Sequence, residues 1–173
     1  HIKDSLNRTW QCGTIQVDFA MPERFELNYE SQDGKKSRPI IIHRAIFGSI
    51  ERFIGILIEH YAAKFPAWLS PVQIKILTIT DRNARYANEV MKKLRLEGFR
   101  VELDDRNESV SKKVRDAQLH NIPVIVTIGD KEVENKSLAI RTLDGKVKFG
   151  VKIGEFVKLA KENTENKNVK FTI

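Results

Sequence analysis

The sequence contains one cysteine, Cys12, among 173 residues. A single thiol excludes an intrachain disulfide and any metal site built only from this chain's cysteines, and it is typical of a reducing compartment such as the cytosol. Long apolar runs are also missing: the richest stretch, residues 53–58, is much shorter than the ~20 residues that cross a bilayer. We therefore expect a soluble, cytoplasmic chain with no membrane partner.

An initiator methionine and a signal-like basic region are missing from the start of the chain, which begins at His1. We therefore expect a piece of a longer protein. Internal repeats are also missing, which excludes a solenoid or propeller built from repeated units.

Basic residues outnumber acidic ones, and the excess is concentrated in the second part of the chain. Lys and Arg number 30 against 23 Asp and Glu, a formal net charge of +7. Residues 1–69 carry 9 basic and 8 acidic groups, whereas residues 70–173 carry 21 and 15. This distribution favours an anionic partner such as a nucleic acid for the second part, although a lysine-rich solvated surface also explains it.

The first part of the chain shows strand, turn and helix patterns in that order. Residues 14–19 alternate between apolar and polar, which predicts a strand whose apolar face lies in the core. Gln32-Asp33-Gly34 predicts the turn of a hairpin, and residues 44–63 are apolar nearly all round, which predicts a buried helix. Two prolines then break the helix within residues 64–71, and we place the domain boundary between residues 69 and 70.

Strands and helices alternate beyond residue 70, the pattern of a mostly parallel sheet covered by helices. We therefore predict an α/β fold with a five-stranded mixed sheet flanked by helices. The predicted strands are residues 72–79, 99–103, 123–128, 137–142 and 147–149. The predicted helices are residues 83–97, 109–120 and 153–161.

Two long runs of residues resemble a known family, WQCGTIQVDF at residues 10–19 and HRAIFGSIERF at residues 43–53. Shorter runs follow in fixed order: WLSPVQ at 68–73, DRNE at 105–108, GDKE at 129–132 and AIRT at 139–142. Together they resemble threonyl-tRNA synthetases, and the second long run is similar to the third motif of class II synthetases. The resemblance implies the end of an antiparallel class II catalytic domain in residues 1–69 and an anticodon-binding domain in residues 70–173.

The resemblance also implies an activity, that of a homodimeric threonine–tRNA ligase. Such an enzyme activates threonine with ATP and Mg²⁺ and transfers the threonyl group to threonine tRNA. Because the first two class II motifs lie outside this chain, we expect no aminoacylation by the chain alone. A non-catalytic tRNA-binding or regulatory protein derived from a synthetase is the alternative, and prolyl-, histidyl- and glycyl-type enzymes share the second domain's fold.

Arg52 is the candidate catalytic residue, because a planar, permanently charged guanidinium matches the phosphates of ATP. The resemblance assigns ATP binding to four residues, Gln11, Thr14, Ser49 and Arg52. On the residues alone, a solvated arginine paired with Glu51 or Glu59 explains Arg52 as well.

The resemblance assigns Cys12 and Gln16 to the threonine site and makes His43 a ligand of a catalytic zinc ion. In the family a cysteine and a second histidine complete this zinc site, and both lie outside this chain. On the residues alone, a single histidine after an isoleucine run is also typical of a hydrogen-bonded core residue. We expect the isolated chain to bind zinc weakly or not at all.

Polar residues of the second part match positions that recognise the anticodon. They are Asn107, Arg115, Glu132 and Arg141. Amide, carboxylate and guanidinium groups can read the edges of unpaired bases, and we expect Asn107, Glu132 and Arg141 to gather on one edge of the sheet. Neighbouring lysines, Lys112, Lys113 and Lys131, are candidates for phosphate neutralisation, although a solvated surface explains them equally well.

Overall fold

The computed structural model describes residues 1–173 as two compact units, His1–Ala62 and Ala63–Ile173. The predicted boundary lies a few residues later, between 69 and 70. No helix in either unit has the length and apolar character needed to cross a membrane.

The first unit consists of antiparallel strand pairs and one long helix. Its elements are β1 (Ile2–Lys3), β2 (Thr9–Trp10), β3 (Thr14–Asp18), α1 (Ala20–Arg24), β4 (Tyr29–Glu30), β5 (Lys36–Ser37), β6 (Ile41–Ala45) and α2 (Ile50–Tyr61). β1 pairs with β2, β3 with β6, and β4 with β5. The β4–β5 hairpin turns at Gly34, which has a φ of 74° and donates its N–H to Ser31 O at 2.9 Å.

Helix α2 is shorter than the predicted helix over residues 44–63. Arg44 belongs to β6, and Gly48, with a φ of 66°, does not have a helical backbone conformation. Ser49 then caps α2, because its Oγ accepts the backbone N–H of Arg52 at 3.4 Å. The helix ends at Tyr61, where Ala62 takes a left-handed conformation.

The apolar face predicted to be core in β3 is exposed. Ile15 of β3 is 63% exposed and Ile42 of β6 is 66% exposed. Helix α2, predicted to be buried, also exposes apolar side chains such as Ile50 and Ile54. The physical reason is that β3 and β6 form a sheet of only two strands, so these residues of the chain have no second layer to pack against.

The second unit contains the predicted five-stranded mixed sheet with flanking helices. Its elements are β7 (Ile74–Thr78), a 3-10 turn (Asp81–Asn83), α3 (Ala84–Leu96), β8 (Val101–Asp104), α4 (Val110–Leu119), β9 (Val124–Ile128), α5 (Asp130–Asn135), β10 (Ser137–Thr142), β11 (Val147–Lys152) and α6 (Ile153–Glu165). The strand order is β11-β10-β9-β7-β8. β7 runs parallel to β8 and β9, whereas β10 runs antiparallel to β9 and β11.

Helices cover the two sides of this sheet unequally. On one side, here called the α3 side, residues of α3 and α6 pack against β7, β9, β10 and β11 in one large core. On the other side, the α4 side, Ala117 of α4 packs against Leu77 of β7 and Ile125 of β9 in a smaller core. No residue of β10 or β11 belongs to this smaller core.

Helix α5 was not predicted. It contains six residues, of which only Val133 is apolar, so it shows no helical periodicity of apolar residues. A capping interaction stabilises its start: Gly129 N–H donates to Glu132 Oε2 at 3.0 Å. Helix α6 extends to Glu165, beyond the predicted end at residue 161.

Candidate functional site

Three polar side chains of the first unit lie together on the β3–β6 pair. Gln16 lies directly opposite His43, and Asp18 Oδ2 lies 3.0 Å from His43 Nε2. Asp18 Oδ1 accepts the backbone N–H groups of Ala20 at 2.8 Å and Met21 at 3.0 Å. The hydrogen bond from Met21, followed by that from His43, lowers the pKa of Asp18. Asp18 was not among the predicted site residues, although its position two residues after Gln16 on a strand was the available signal.

The turn before α2 approaches the segment that precedes β3. A Cβ atom at Gly48 would lie 3.3 Å from Cys12 O and 3.4 Å from Gln11 O, so glycine allows this backbone contact. Cys12 is buried and Gln11 is exposed. Thr14 is half-buried and pairs with Ala45, at the opposite end of β3 from Asp18.

Arg52 stacks on an aromatic ring. Its guanidinium carbon lies 5.3 Å from the ring centre of Trp10, a cation–π geometry. The carboxylate partners considered for it are engaged elsewhere: Glu51 accepts the Ser49 hydroxyl at 2.7 Å, and Glu59 lies 3.8 Å from Arg8. Arg52 therefore has a fixed position and no acidic partner, which leaves its charge available to an anion.

Hydrogen bonds to Asp4 hold the Trp10 ring in place. Its Nε1–H donates to Asp4 Oδ2 at 2.8 Å, and Arg8 Nε donates to the same oxygen at 2.6 Å. These hydrogen bonds, that of Trp10 first, lower the pKa of Asp4 to about 2. The ionised Asp4 thus orients the ring on which Arg52 stacks.

His43 is suited to act as one ligand of a metal ion. Asp18 contacts His43 Nε2, and a carboxylate in this position is typical of the partners that orient metal-binding histidines. The other ring nitrogen, Nδ1, is then the atom that would bind the metal ion. A catalytic zinc ion takes three protein ligands, and no group of three His, Cys, Asp or Glu side chains in this structure could hold a metal ion. Cys12 does not join His43 in such a group.

In the second unit, Asn107 and Glu132 follow the carboxyl ends of β8 and β9, the two parallel strands that flank β7. Asn107 is exposed in the loop after β8, and Glu132 is half-buried in the first turn of α5 after β9. A polar cluster fixes the start of α5: Arg82 pairs with Asp130, and Asn83 Nδ2 donates to Asp130 Oδ1 at 2.9 Å. The carboxyl edge of an open α/β sheet is where such folds bind ligands.

Arg141 does not share that edge, so the expectation that all three residues gather there is wrong. It pairs with Ile125, near the amino end of β9, because β10 runs antiparallel to β9. With about 3.3 Å per strand residue, Arg141 lies roughly 10 Å from the end of β9 at Ile128. Arg141 is half-buried, so its side chain remains accessible.

The candidate lysines differ in their exposure. Lys113 is only 2% exposed, and its Nζ donates to Thr78 O at 2.9 Å and to Thr78 Oγ1 at 3.2 Å. Its assignment to phosphate neutralisation is therefore wrong, because a buried ammonium cannot contact RNA. Lys112 is exposed and pairs with Glu108 at 2.6 Å. Arg115 and Lys131 are exposed and form no salt bridge.

Two family models match the chain. Residues 70–163 match the model described as an anticodon binding domain, and residues 1–61 match the class II core domain of tRNA synthetases for G, H, P, S and T. The match to the first model covers more than half of the chain.

Curated relatives and solved structures agree with these models. The threonine–tRNA ligase of Desulfatibacillum aliphaticivorans is 56% identical over 97% of the chain, and that of Clostridium tetani is 54% identical over 97%. The chain spans about a quarter of the length of these relatives, 26% in both cases. The RNA-binding domain of threonyl-tRNA synthetase from Cryptosporidium parvum Iowa II superposes with a TM-score of 0.81 at 34% identity, covering 99% of this chain and 42% of that one. A prolyl-tRNA synthetase from Cryptosporidium parvum, at 23% identity and a TM-score of 0.64, shares the fold over 90% of this chain and 35% of its own.

Proposed function

The chain belongs to the threonyl-tRNA synthetase family, of which it contains a class II core segment and the anticodon-binding domain, and we propose that the whole protein is a threonine–tRNA ligase. Such an enzyme activates threonine with ATP and then transfers the threonyl group to threonine tRNA in the cytoplasm. The second unit selects the tRNA in this proposal, and the first unit contributes to the binding of ATP and threonine.

One observation carries the proposal for the second unit. An exposed amide at Asn107 and a half-buried carboxylate at Glu132, one oxygen of which caps α5, follow β8 and β9, the two parallel strands that flank β7 in the more basic part of the chain. Unpaired bases are read by such groups along their Watson–Crick edges. Arg141 and Arg115 extend this recognition surface, and the exposed lysines hold the phosphates in register.

For the first unit, the position of Arg52 supports a role in ATP binding. Its guanidinium is fixed on Trp10 and has no acidic partner, so it is pre-organised to stabilise charge on the phosphates, which Mg²⁺ accompanies. Gln11, Thr14 and Ser49 complete the ATP contacts in this proposal. The close approach of Gly48 to the backbone of Gln11 and Cys12 supports the grouping of Gln11 with Ser49 in this proposal.

Gln16 and His43, directly opposite each other on β3 and β6, form part of the threonine site in this proposal, and Cys12 is assigned to the same site. His43 supplies one ligand to a zinc ion, and the remaining ligands come from parts of the enzyme outside this chain. When bound, zinc supplies an open coordination position for the amino and hydroxyl groups of threonine. The whole enzyme is a homodimer in this proposal.

Binding to altered tRNAs tests the proposal. The chain is titrated with threonine tRNA and with transcripts changed at the second or third anticodon base, and we expect each change to weaken binding about 5- to 100-fold, because it leaves recognition groups unpaired. A base-pair swap in the anticodon stem is the matched control. Equal affinity for all transcripts would contradict anticodon recognition. The chain alone should give no threonine-dependent exchange of pyrophosphate into ATP.

A further inference from the structure

Phe149 is the most exposed aromatic side chain of the protein, at 74%. It lies on the edge strand β11, at an irregularity in the pairing with β10. The register leaves two residues of β11, Phe149 and Gly150, opposite the single residue Ala139 of β10. Gly150 has a φ of 71°. This is a β-bulge, a device that redirects a side chain at the edge of a sheet.

The bulge directs Phe149 to the α4 side of the sheet. Lys148, the preceding residue, lies 3.6 Å from Glu155 of α6, and Val151, after the bulge, packs in the core of the α3 side. On β10, Leu138 and Ile140 both belong to that core, so alternation of side chains along the strand turns Ala139 away from it. Phe149 lies opposite Ala139 in the bulge and therefore also faces away from that core. The smaller core beneath α4 contains no residue of β10 or β11, and Val147 and Phe149 of β11 are exposed, so the α4 side of this part of the sheet is open.

Arg141 lies on the same open side. Its neighbour Ile140 belongs to the core of the α3 side, so alternation places Arg141 opposite to it. Arg141 pairs with Val147, two residues before Phe149 on β11. We name this area the open surface, defined by Arg141, Val147 and Phe149. It combines a guanidinium with an aromatic ring.

The charge around the open surface fits a polyanion. β11 and its preceding turn carry three lysines, Lys146, Lys148 and Lys152. Lys146 lies 3.4 Å from Asp144, and Lys148, which faces the α3 side, lies 3.6 Å from Glu155. Lys152 donates to the backbone oxygen of Asn135 rather than to a carboxylate. An apolar protein partner would have to desolvate these ammonium groups, whereas a nucleic acid backbone would neutralise them.

We propose that Phe149 is a stacking platform for one unpaired base of the tRNA anticodon loop, seated on the open surface beside Arg141. The inference rests on the proposed tRNA recognition and adds a residue and a mode of contact to it. Every base has a π face, so an aromatic ring on a basic sheet surface binds single-stranded nucleotides by stacking. Arg141 is then within reach of the edge of the same base or of its neighbour.

Fluorescence of 2-aminopurine tests this contact directly. The probe is an anticodon stem-loop of threonine tRNA with 2-aminopurine placed at one loop position at a time, titrated with the whole chain. We expect one position to be quenched on binding, and Phe149→Ala to abolish that quenching and weaken binding about 5- to 100-fold. Phe149→Trp should retain both. Leu96→Ala, which removes a side chain that is 88% exposed on α3, is the matched control and should change neither.

The outcomes separate this inference from the proposed function. If the unaltered chain does not distinguish anticodon variants, the proposed function fails. If it does distinguish them while Phe149→Ala leaves quenching and affinity unchanged, the stacking platform is refuted and the proposed function stands. A change in sedimentation on Phe149→Ala without loss of quenching would overturn the inference in favour of contact with a second copy of the chain.

Discussion

Asp18 Oδ2 accepts a hydrogen bond from the His43 ring across 3.0 Å, while the other oxygen of the same carboxylate caps the start of α1. One side chain thus fixes both a helix start and an imidazole. An ionised carboxylate can only accept, so with neutral imidazole the proton resides on Nε2. The lone pair on Nδ1 is then free for a ligand.

Replacing Asp18 by Asn should therefore change the tautomer of His43. An amide can either donate or accept, so Asp18→Asn removes the preference for protonated Nε2 and gives a mixture of tautomers. Ring ¹⁵N chemical shifts of His43 at pH 8 measure this directly. His60, on α2, serves as the internal control, and unchanged His43 shifts in the variant would show that Asp18 does not select the tautomer.

Acid should destabilise the second unit through Asp104. This buried carboxylate accepts two hydrogen bonds from Arg106, at 2.8 and 2.6 Å, and the bonds from Arg106 lower its pKa. Because the folded-state pKa lies below the unfolded value of about 3.9, the stabilisation is fully present above about pH 4. It is lost as the pH falls through the lowered folded-state pKa.

We expect Asp104→Asn to lower the free energy of unfolding at pH 7 and to flatten its decline below pH 4, as measured by urea unfolding between pH 7 and pH 2.5. Asp105→Asn, at the adjacent exposed carboxylate, is the control. An acid profile of Asp104→Asn that parallels that of the unaltered chain would contradict a role for this carboxylate.

The sheet of the second unit could be predicted from the sequence, because each strand and helix buries its apolar residues within the unit. The apolar run over Val124–Ile128 and the spacing of Ala87, Val90 and Leu94 reflect contacts that the structure contains. In the first unit the alternation over residues 14–19 predicted β3 correctly and its burial wrongly. Periodicity shows which face is apolar, but it does not show whether this chain supplies the layer that covers that face.

Parts of the candidate site could not be predicted, because they depend on strand direction and tertiary contacts. Arg141 lies away from the carboxyl edge because β10 runs antiparallel to β9. The four-residue motif at residues 139–142 does not encode this strand direction. The sequence treats Lys112 and Lys113 alike, although their helical positions differ by 100° and only Lys113 faces the sheet. The bulge at Phe149 depends on the pairing register of β11 with β10, which composition does not reveal.

The two neighbouring lysines should therefore respond differently to substitution. Lys113→Ala removes a buried stem and leaves Thr78 O without its donor, so we expect a loss of about 2 to 3 kcal/mol in the free energy of unfolding. Lys112→Ala breaks one exposed ion pair and should cost less than about 0.5 kcal/mol. Urea unfolding of the two variants measures the difference, and equal losses would show that Lys113 is not structurally required.

Gly48 and Gly34 form a matched pair for measuring a close backbone contact. Both have positive φ values, 66° and 74°, so alanine at either position costs about 1 to 2 kcal/mol from backbone strain. Only at Gly48 would the new Cβ also meet backbone oxygens, those of Cys12 and Gln11; nothing lies within 4 Å at Gly34. We expect Gly48→Ala to accelerate amide exchange in residues 10–15 more than Gly34→Ala does, and equal exchange in the two variants would contradict a tight contact.

Arg52 and Arg8 provide the corresponding test of the proposed ATP role, because both guanidinium groups stack on Trp10, at 5.3 and 5.7 Å. They differ in charge compensation, since Arg8 is paired with Asp4 at 2.6 Å and Arg52 forms no salt bridge. In the whole enzyme, Arg52→Lys should lower kcat/KM for ATP in pyrophosphate exchange by about 10²-fold, because an ammonium lacks the planar fork that matches phosphate oxygens. Arg8→Lys should lower it less than about tenfold, since its charge is already neutralised and its role is to hold the ring. If the two substitutions reduced activity equally, the loss would come from disturbing Trp10, and Arg52 would have no separate role toward ATP.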